Sequence, residues 1–292
     1  MDLSVPVTDE VTLHVRHRPG TAPSPGSLPF LLVHGMASSA RLWDEVAGHL
    51  AAAGHAVYAV DLRGHGDSDT PETGYDTPTA VADLVAVAAA LGLDRVVVAG
   101  HSWGGNVSVR LTAEHPELVA ALALVDGGWL EPATSFPSWD AFVGALRPAS
   151  LEGATVQSVS DYFRAIHPDW SPAAIEAAVA TMRVNPDGSL SRRMSAEQHM
   201  SILRSIWNEP PGPWYAAIAV PTLLMPAIPK GADGKWADRI RSRIRETTAE
   251  LRHATMREYR DSEHDLHAQH PRRVAEDLLG LAHGVQPVRT AR

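Results

Sequence analysis

The chain has 292 residues and 45% hydrophobic content, enough for one large core with an insertion and no obligatory second domain. A formal charge of −9 without any basic run sets aside nucleic acid as a partner, and the lack of cysteine removes disulfides and thiolate metal sites. The first ten residues have neither a basic start nor a long apolar run, and no apolar stretch reaches bilayer length, so the expectation is a cytoplasmic protein without a leader or a membrane partner.

Val11–Arg16 alternates as a half-exposed strand does, and a Pro/Gly/Ser loop follows from Pro19 to Ser27. Pro29–Val33 is a continuous apolar run suited to a buried strand. Leu42–Ala53 reads as a helix ended by Gly54, and Ala56–Val60 as a strand running into the turn-rich Asp61-Leu-Arg-Gly-His-Gly-Asp-Ser-Asp69. Thr77 to Gly92 is a strong helix, with Thr77 as its expected N-cap and Pro78 in its first turn.

Val96-Val-Val-Ala-Gly100-His-Ser102-Trp-Gly104-Gly105 carries the chemistry. Gly100, Ser102 and Gly104 fit G-x-S-x-G, which places one serine on a sharp turn between strand and helix. Side chains two before and two after such a serine would collide across the turn, so both must be small. The flanks supply the context: a β-branched run precedes the turn, and Asn106–His115 keeps helical apolar spacing up to Pro116. Leu118–Val125 is another apolar run, ending at Asp126-Gly127-Gly128. Strands alternating with helices imply a parallel sheet covered on both faces.

From Trp129 to about Tyr215 the pattern turns helical with no clear strand, and five of the eight tryptophans lie there. Pro221–Met225 resumes the strand pattern. Trp236–His253 reads as a helix, Ala254–Tyr259 as a last strand and Pro271–His283 as a closing helix, with 285–292 a loose tail. The 15 histidines are scattered and show no H-E-x-x-H spacing, so no metal site is expected from them.

Four motifs stand together: His34-Gly35, Asp61-Leu-Arg-Gly64-His-Gly66, the Ser102 turn, and Ser262-Glu-His264-Asp-Leu-His267. They resemble the α/β-hydrolase superfamily over nearly the whole chain. The resemblance implies an α/β fold with a mostly parallel eight-stranded sheet flanked by helices. It places the core at 1–128 and 216–284 and an inserted helical cap at 129–215. These motifs are highly specific for fold and weakly specific for substrate.

A serine hydroxyl needs a base to take its proton. His264, just beyond the last strand, matches the superfamily's histidine loop; His267 is a near competitor that points elsewhere, and His270 before Pro271 reads as a helix-entry residue. The base needs a carboxylate to fix its tautomer. Many members place that acid after the seventh strand, but Pro221–Lys230 holds none and the first candidate there is Asp233. Asp126 directly ends the sixth strand, a position used by a subset of the superfamily, and is favoured. Asp261 and Asp265 flank the histidine and shape its loop. Family geometry implies an oxyanion hole from the backbone N–H groups of Met36 and Trp103, whose side chains would line the acyl pocket. His34 and Gly35 border the same pocket. Trp129 either clamps an apolar ligand or forms core, and both readings stay open. Arg63, His65 and Asp67 read as a structural network beneath the site.

The resemblance therefore implies a cofactor-free serine hydrolase with Ser102 as nucleophile, His264 as base and Asp126 as acid. Its expected partner is a small-molecule ester or lactone, by similarity to zearalenone-type lactonases a macrocyclic one. A homodimer is the one macromolecular partner left open. Alternatives are a carbon–carbon bond hydrolase, a cofactor-free perhydrolase and, in another class, a non-catalytic ligand receptor on a hydrolase scaffold. Epoxide hydrolases and haloalkane dehalogenases of this fold use an aspartate nucleophile, and Ser102 argues against both.

Overall fold

The computed structural model describes residues 1–23, 26–148, 150–231 and 234–285. Asp233, the alternative acid, and the tail beyond Val285 lie outside the described residues. The chain begins with Asp2–Pro6 (β1) and Thr12–Arg18 (β2), followed by Phe30–Val33 (β3), Asp44–Ala52 (α1), Val57–Val60 (β4), Thr77–Ala90 (α2), Val96–His101 (β5), Trp103–Glu114 (α3) and Val119–Val125 (β6). An insertion comes next, made of Pro132–Ser135 (α4), Trp139–Ala145 (α5), Val156–Ile166 (α6), Pro172–Val179 (α7), the short strands Arg183–Val184 (β7) and Leu190–Ser191 (β8), and Ala196–Asn208 (α8). Thr222–Met225 (β9), Ala227–Ile228 (β10), Gly234–Glu250 (α9), Ala254–Met256 (β11), Tyr259–Arg260 (β12), Leu266–Gln269 (α10) and Pro271–His283 (α11) complete it.

Eight strands form one sheet in the order β1-β2-β4-β3-β5-β6-β9-β11. β1 and β2 join antiparallel at one edge, and every pairing from β4 to β11 is parallel. Every residue of β3, β5, β6 and β9 is buried, as a parallel sheet covered on both faces requires. Alternate residues face opposite layers: Leu31, Val33, Val98, Leu122 and Leu124 enter one core. Phe30, Leu32, Val97, Ala99, Ala121 and Ala123 enter the other, with Val46 and Leu50 of α1 and Val274 and Leu278 of α11. This is the expected α/β architecture. Among the described residues, no helix is long and apolar enough to cross a membrane.

Local expectations needed four corrections. β1 pairs across Pro6↔Thr12, although its five residues gave no separate strand signal. The N-cap of α2 is Asp76 rather than Thr77, because the Asp76 carboxylate accepts from Thr79 N–H. The insertion holds a short antiparallel hairpin, β7–β8, with Gly188 at φ 83° in its turn. The last strand is broken: β11 pairs with β9, while β12 pairs with β10 in a separate ladder nearer the site.

Candidate active site

β5 ends at His101, and α3 begins at Trp103, leaving Ser102 alone at φ 54°, ψ −123°. That backbone is strained for a residue with a side chain and survives only where its surroundings impose it. They do so through glycines. A Cβ on Gly100 would lie 2.3 Å from the Gly104 carbonyl oxygen, one on Gly104 2.3 Å from the His34 oxygen, and one on Gly127 2.2 Å from the Ser102 oxygen. The β3 loop, the serine turn and the β6 turn are therefore in backbone-to-backbone contact. Ser102 N–H donates to the Val125 carbonyl at 3.2 Å, tying the serine to the end of β6.

Asp126 is the next residue, at φ 41°. Its N–H donates to Met225 O at 2.9 Å, and its Oδ1 accepts from Ala227 N–H at 3.0 Å. With backbone and one oxygen fixed, Oδ2 faces His264 Nδ1 at 2.6 Å, across 138 residues of chain. Burial opposes charge on that ring, but the hydrogen bond and charge of Asp126, with Asp265 adding, outweigh it and hold the pKa up at about 9. Protein surrounds the ring closely, yet half of its side-chain surface still reaches solvent, which softens the pull of both acids. Among the described residues, Ser102 Oγ has no hydrogen-bond partner; the serine–histidine bond is not closed here, as is common before substrate is bound.

The backbone N–H groups of Met36 and Trp103 likewise donate to no acceptor among the described residues. Met36 is half-buried, and a Cβ on Gly35 would sit 2.7 Å from Ser102 Cβ. The Trp103 indole does not line an open pocket: it is 2% exposed and donates to Thr77 Oγ1, itself bonded to Ser205 Oγ of α8. His34 is fully buried, and its Nε2 accepts from Leu62 N–H at 3.0 Å, so it braces the loop instead of facing ligand. Trp129 is 7% exposed and sits in the core layer with Leu124 and Val107, so its indole is engaged in packing. Arg63 grips Asp83 through two bonds of 2.6 and 2.8 Å, His65 Nδ1 donates to Arg63 O, and Asp67 N–H donates to the buried Asp61. His270 Nε2 pairs with the Ser262 hydroxyl at the entry to α11.

Two groups escaped sequence reasoning. His101 is buried beside the serine, donates Nε2–H to the His264 carbonyl at 3.1 Å, and lies between the His264 and His267 rings at 4.6 and 4.4 Å. Burial, with the nearby His264 charge, keeps its own pKa well below the usual imidazole range. The insertion also holds the histidine loop: His167 Nδ1 meets Glu263 Oε2 at 2.5 Å, and Gln269 bridges Asp169 and Glu263 N–H. His167 stacks on Trp170 at 4.0 Å. Only His101, inside the G-x-S-x-G turn, carried a positional signal.

The family model described as the alpha/beta hydrolase fold matches residues 29–155. The solved structure of an E-2-(acetamidomethylene)succinate hydrolase superposes with a TM-score of 0.78 at 21% identity, covering 97% of this chain and 99% of that one. The chain therefore has the α/β-hydrolase fold, and residues 29–155 match that family's model. The chain is 34% identical over 153 residues to a soluble epoxide hydrolase of Corynebacterium sp. (strain C12), a match spanning 52% of this chain and 48% of that protein. It is 26% identical over 216 residues to the 2-(acetamidomethylene)succinate hydrolase of Mesorhizobium japonicum, spanning 74% and 73%. The chain thus matches about half of the first of these α/β-hydrolase relatives.

Proposed function

We propose that this α/β-hydrolase cleaves a carboxylic ester or lactone through an acyl-enzyme, with Ser102 as nucleophile, His264 as base and Asp126 as acid. The observation that carries this reading is the Asp126–His264 hydrogen bond of 2.6 Å beside a strained serine turn. Asp126 leaves Nδ1 protonated and Nε2 free to take the Ser102 proton as Oγ attacks the carbonyl carbon. Negative charge develops on the carbonyl oxygen, where the unpaired N–H groups of Trp103, at the start of α3, and of Met36, in the loop after β3, supply donors. His264 then protonates the leaving alkoxide and next deprotonates the water that releases the acid.

The epoxide hydrolase relative does not transfer its chemistry. Opening an epoxide on Ser102 would leave an alkyl ether, which the same machinery cannot hydrolyse, whereas an acyl ester it can. In this reading residues 129–215 act as a cap over Ser102, anchored by His167 and Asp169 to the loop that carries His264.

A size-graded panel of esters and lactones, with a resorcylic macrolactone as its largest member, tests the proposal against a diketone and a peroxide-dependent assay. The expected result is hydrolysis of an ester or lactone that disappears in Ser102→Ala. Turnover of the diketone alone, or equal ester turnover by Ser102→Ala, would overturn it.

A further inference from the structure

We propose that the side-chain cluster behind the His264 loop binds one divalent transition-metal ion, held by His101, Asp265, His267 and the main-chain oxygen of His264. This revises the expectation of a metal-free chain and does not depend on the chemistry proposed for Ser102.

The donors are already gathered. One ligand atom from each of His101, Asp265 and His267 lies within 4.8 Å of the others. His101 Nε2 is 3.1 Å from the His264 carbonyl oxygen and 3.7 Å from Asp265 Oδ1. Zinc bonds of about 2.0–2.1 Å in a tetrahedron put neighbouring ligand atoms about 3.3 Å apart, so these two separations bracket that edge. The two imidazole rings have centroids 4.4 Å apart with a 47° tilt. Two imidazoles on one tetrahedral ion at such bond lengths have ring centres roughly 5.2 Å apart, so binding would part these rings by somewhat under about 1 Å.

The orphaned nitrogens are the independent observation. His267 is completely buried, and among the described residues neither of its ring nitrogens has a hydrogen-bond partner. Buried polar atoms are normally satisfied, and a buried imidazole with two bare nitrogens calls for a partner. His65 and His199 each leave one buried nitrogen bare, but neither belongs to a carboxylate cluster. The other cluster, His14, Asp61 and Asp67, is closed by its own hydrogen bonds, His14 to Asp61 at 2.7 Å and Asp67 N–H to Asp61 at 3.1 Å. Two imidazoles, one carboxylate and one carbonyl form a nitrogen–oxygen set that suits Zn²⁺. Coordination through His101 Nε2 moves that ring's proton to Nδ1 and releases none. The ion would pin residues 264–267, including the main chain of His264, from the side of His101.

The test uses the full chain stripped with chelator and titrated with Zn²⁺ by calorimetry and with Co²⁺ by visible absorption. The expected result is one saturable equivalent and a tetrahedral Co²⁺ spectrum. Both should weaken by about 100-fold or more in Asp265→Asn and in His267→Gln, and both should persist in His115→Gln, which alters a partly exposed histidine outside the cluster. No saturable binding in the wild type, or binding unchanged in either cluster variant while circular dichroism shows it folded, would overturn the proposal. Asp265 is the less buried member, which keeps the test decisive if His267→Gln does not fold.

Discussion

Two neighbouring stretches of this chain are held in place by different physics. Residues 96–128 are fixed by backbone against backbone: virtual Cβ atoms on Gly100, Gly104, Gly105 and Gly127 come within 2.2–2.5 Å of main-chain atoms of neighbouring turns. Residues 129–215 are held largely by side chains, through His167–Glu263, Asp169–Gln269, Ser171–Glu45 and Ser205–Thr77. None of the residues of α6 is buried, and Tyr162 is 60% exposed. Reacting atoms need sub-ångström placement, which rigid backbone provides, while residues 129–215 combine these polar tethers with apolar packing of Phe142, Ile202 and Leu203 on the core. Substitutions in the two regions should therefore differ in kind as well as in size.

The largest effect belongs to the acid at the end of β6. Asp126→Asn keeps shape but loses the charge and the tautomer control, and kcat should fall by about 10³–10⁴-fold, by analogy with the same change in serine proteases. The pH profile gives the sign. His264 must be neutral to act as base, so in chelator-treated wild type kcat/KM should still be rising through pH 9, near the raised pKa. In Asp126→Asn that limb should move down toward or below 6.5, the ordinary histidine value. An unchanged limb would remove Asp126 from the mechanism.

Next comes the backbone lock. Gly127→Ala forces a methyl group to within 2.2 Å of the Ser102 oxygen, and should cost about 1–3 kcal/mol in urea unfolding, with turnover lost as the serine turn shifts. Wild-type stability in this variant would mean that the two turns are not locked as described. The smallest effect should come from the tethers. His167→Gln breaks a pair whose carboxylate is 47% exposed, so stability should change by less than about 1 kcal/mol, with a modest loss of kcat. A loss as large as that of Gly127→Ala would erase the contrast between the regions.

The same contrast explains what the sequence made legible. Collisions of backbone atoms permit only glycine at Gly100 and Gly104, so the serine turn was readable from that spacing together with its strand and helix flanks. Asp126 was readable because it closes a seven-residue buried strand whose apolar run is unmistakable. The tethers were not, since His167 and Glu263 are 96 residues apart and either would be an ordinary surface residue without the other. Trp129 illustrates the same limit: a tryptophan three residues past the acid suits a ligand clamp or a core equally well, and only packing assigns it to the core. His267 is harder still, because nothing in Asp265-Leu-His267 says that the ring turns inward against Trp43 at 4.3 Å. The short strand β1 was missed because Pro6 and the polar Asp2 and Ser4 weaken its pattern, and its pairing comes from β2.

The central claim is that Ser102, in its strained turn beside the Asp126–His264 pair, is an activated nucleophile. The most direct measurement is covalent labelling with a fluorophosphonate followed by peptide mass spectrometry. The account predicts one adduct, on Ser102, absent in Ser102→Ala and slowed in Asp126→Asn. Folded wild-type protein that stays unlabelled at Ser102 would contradict it.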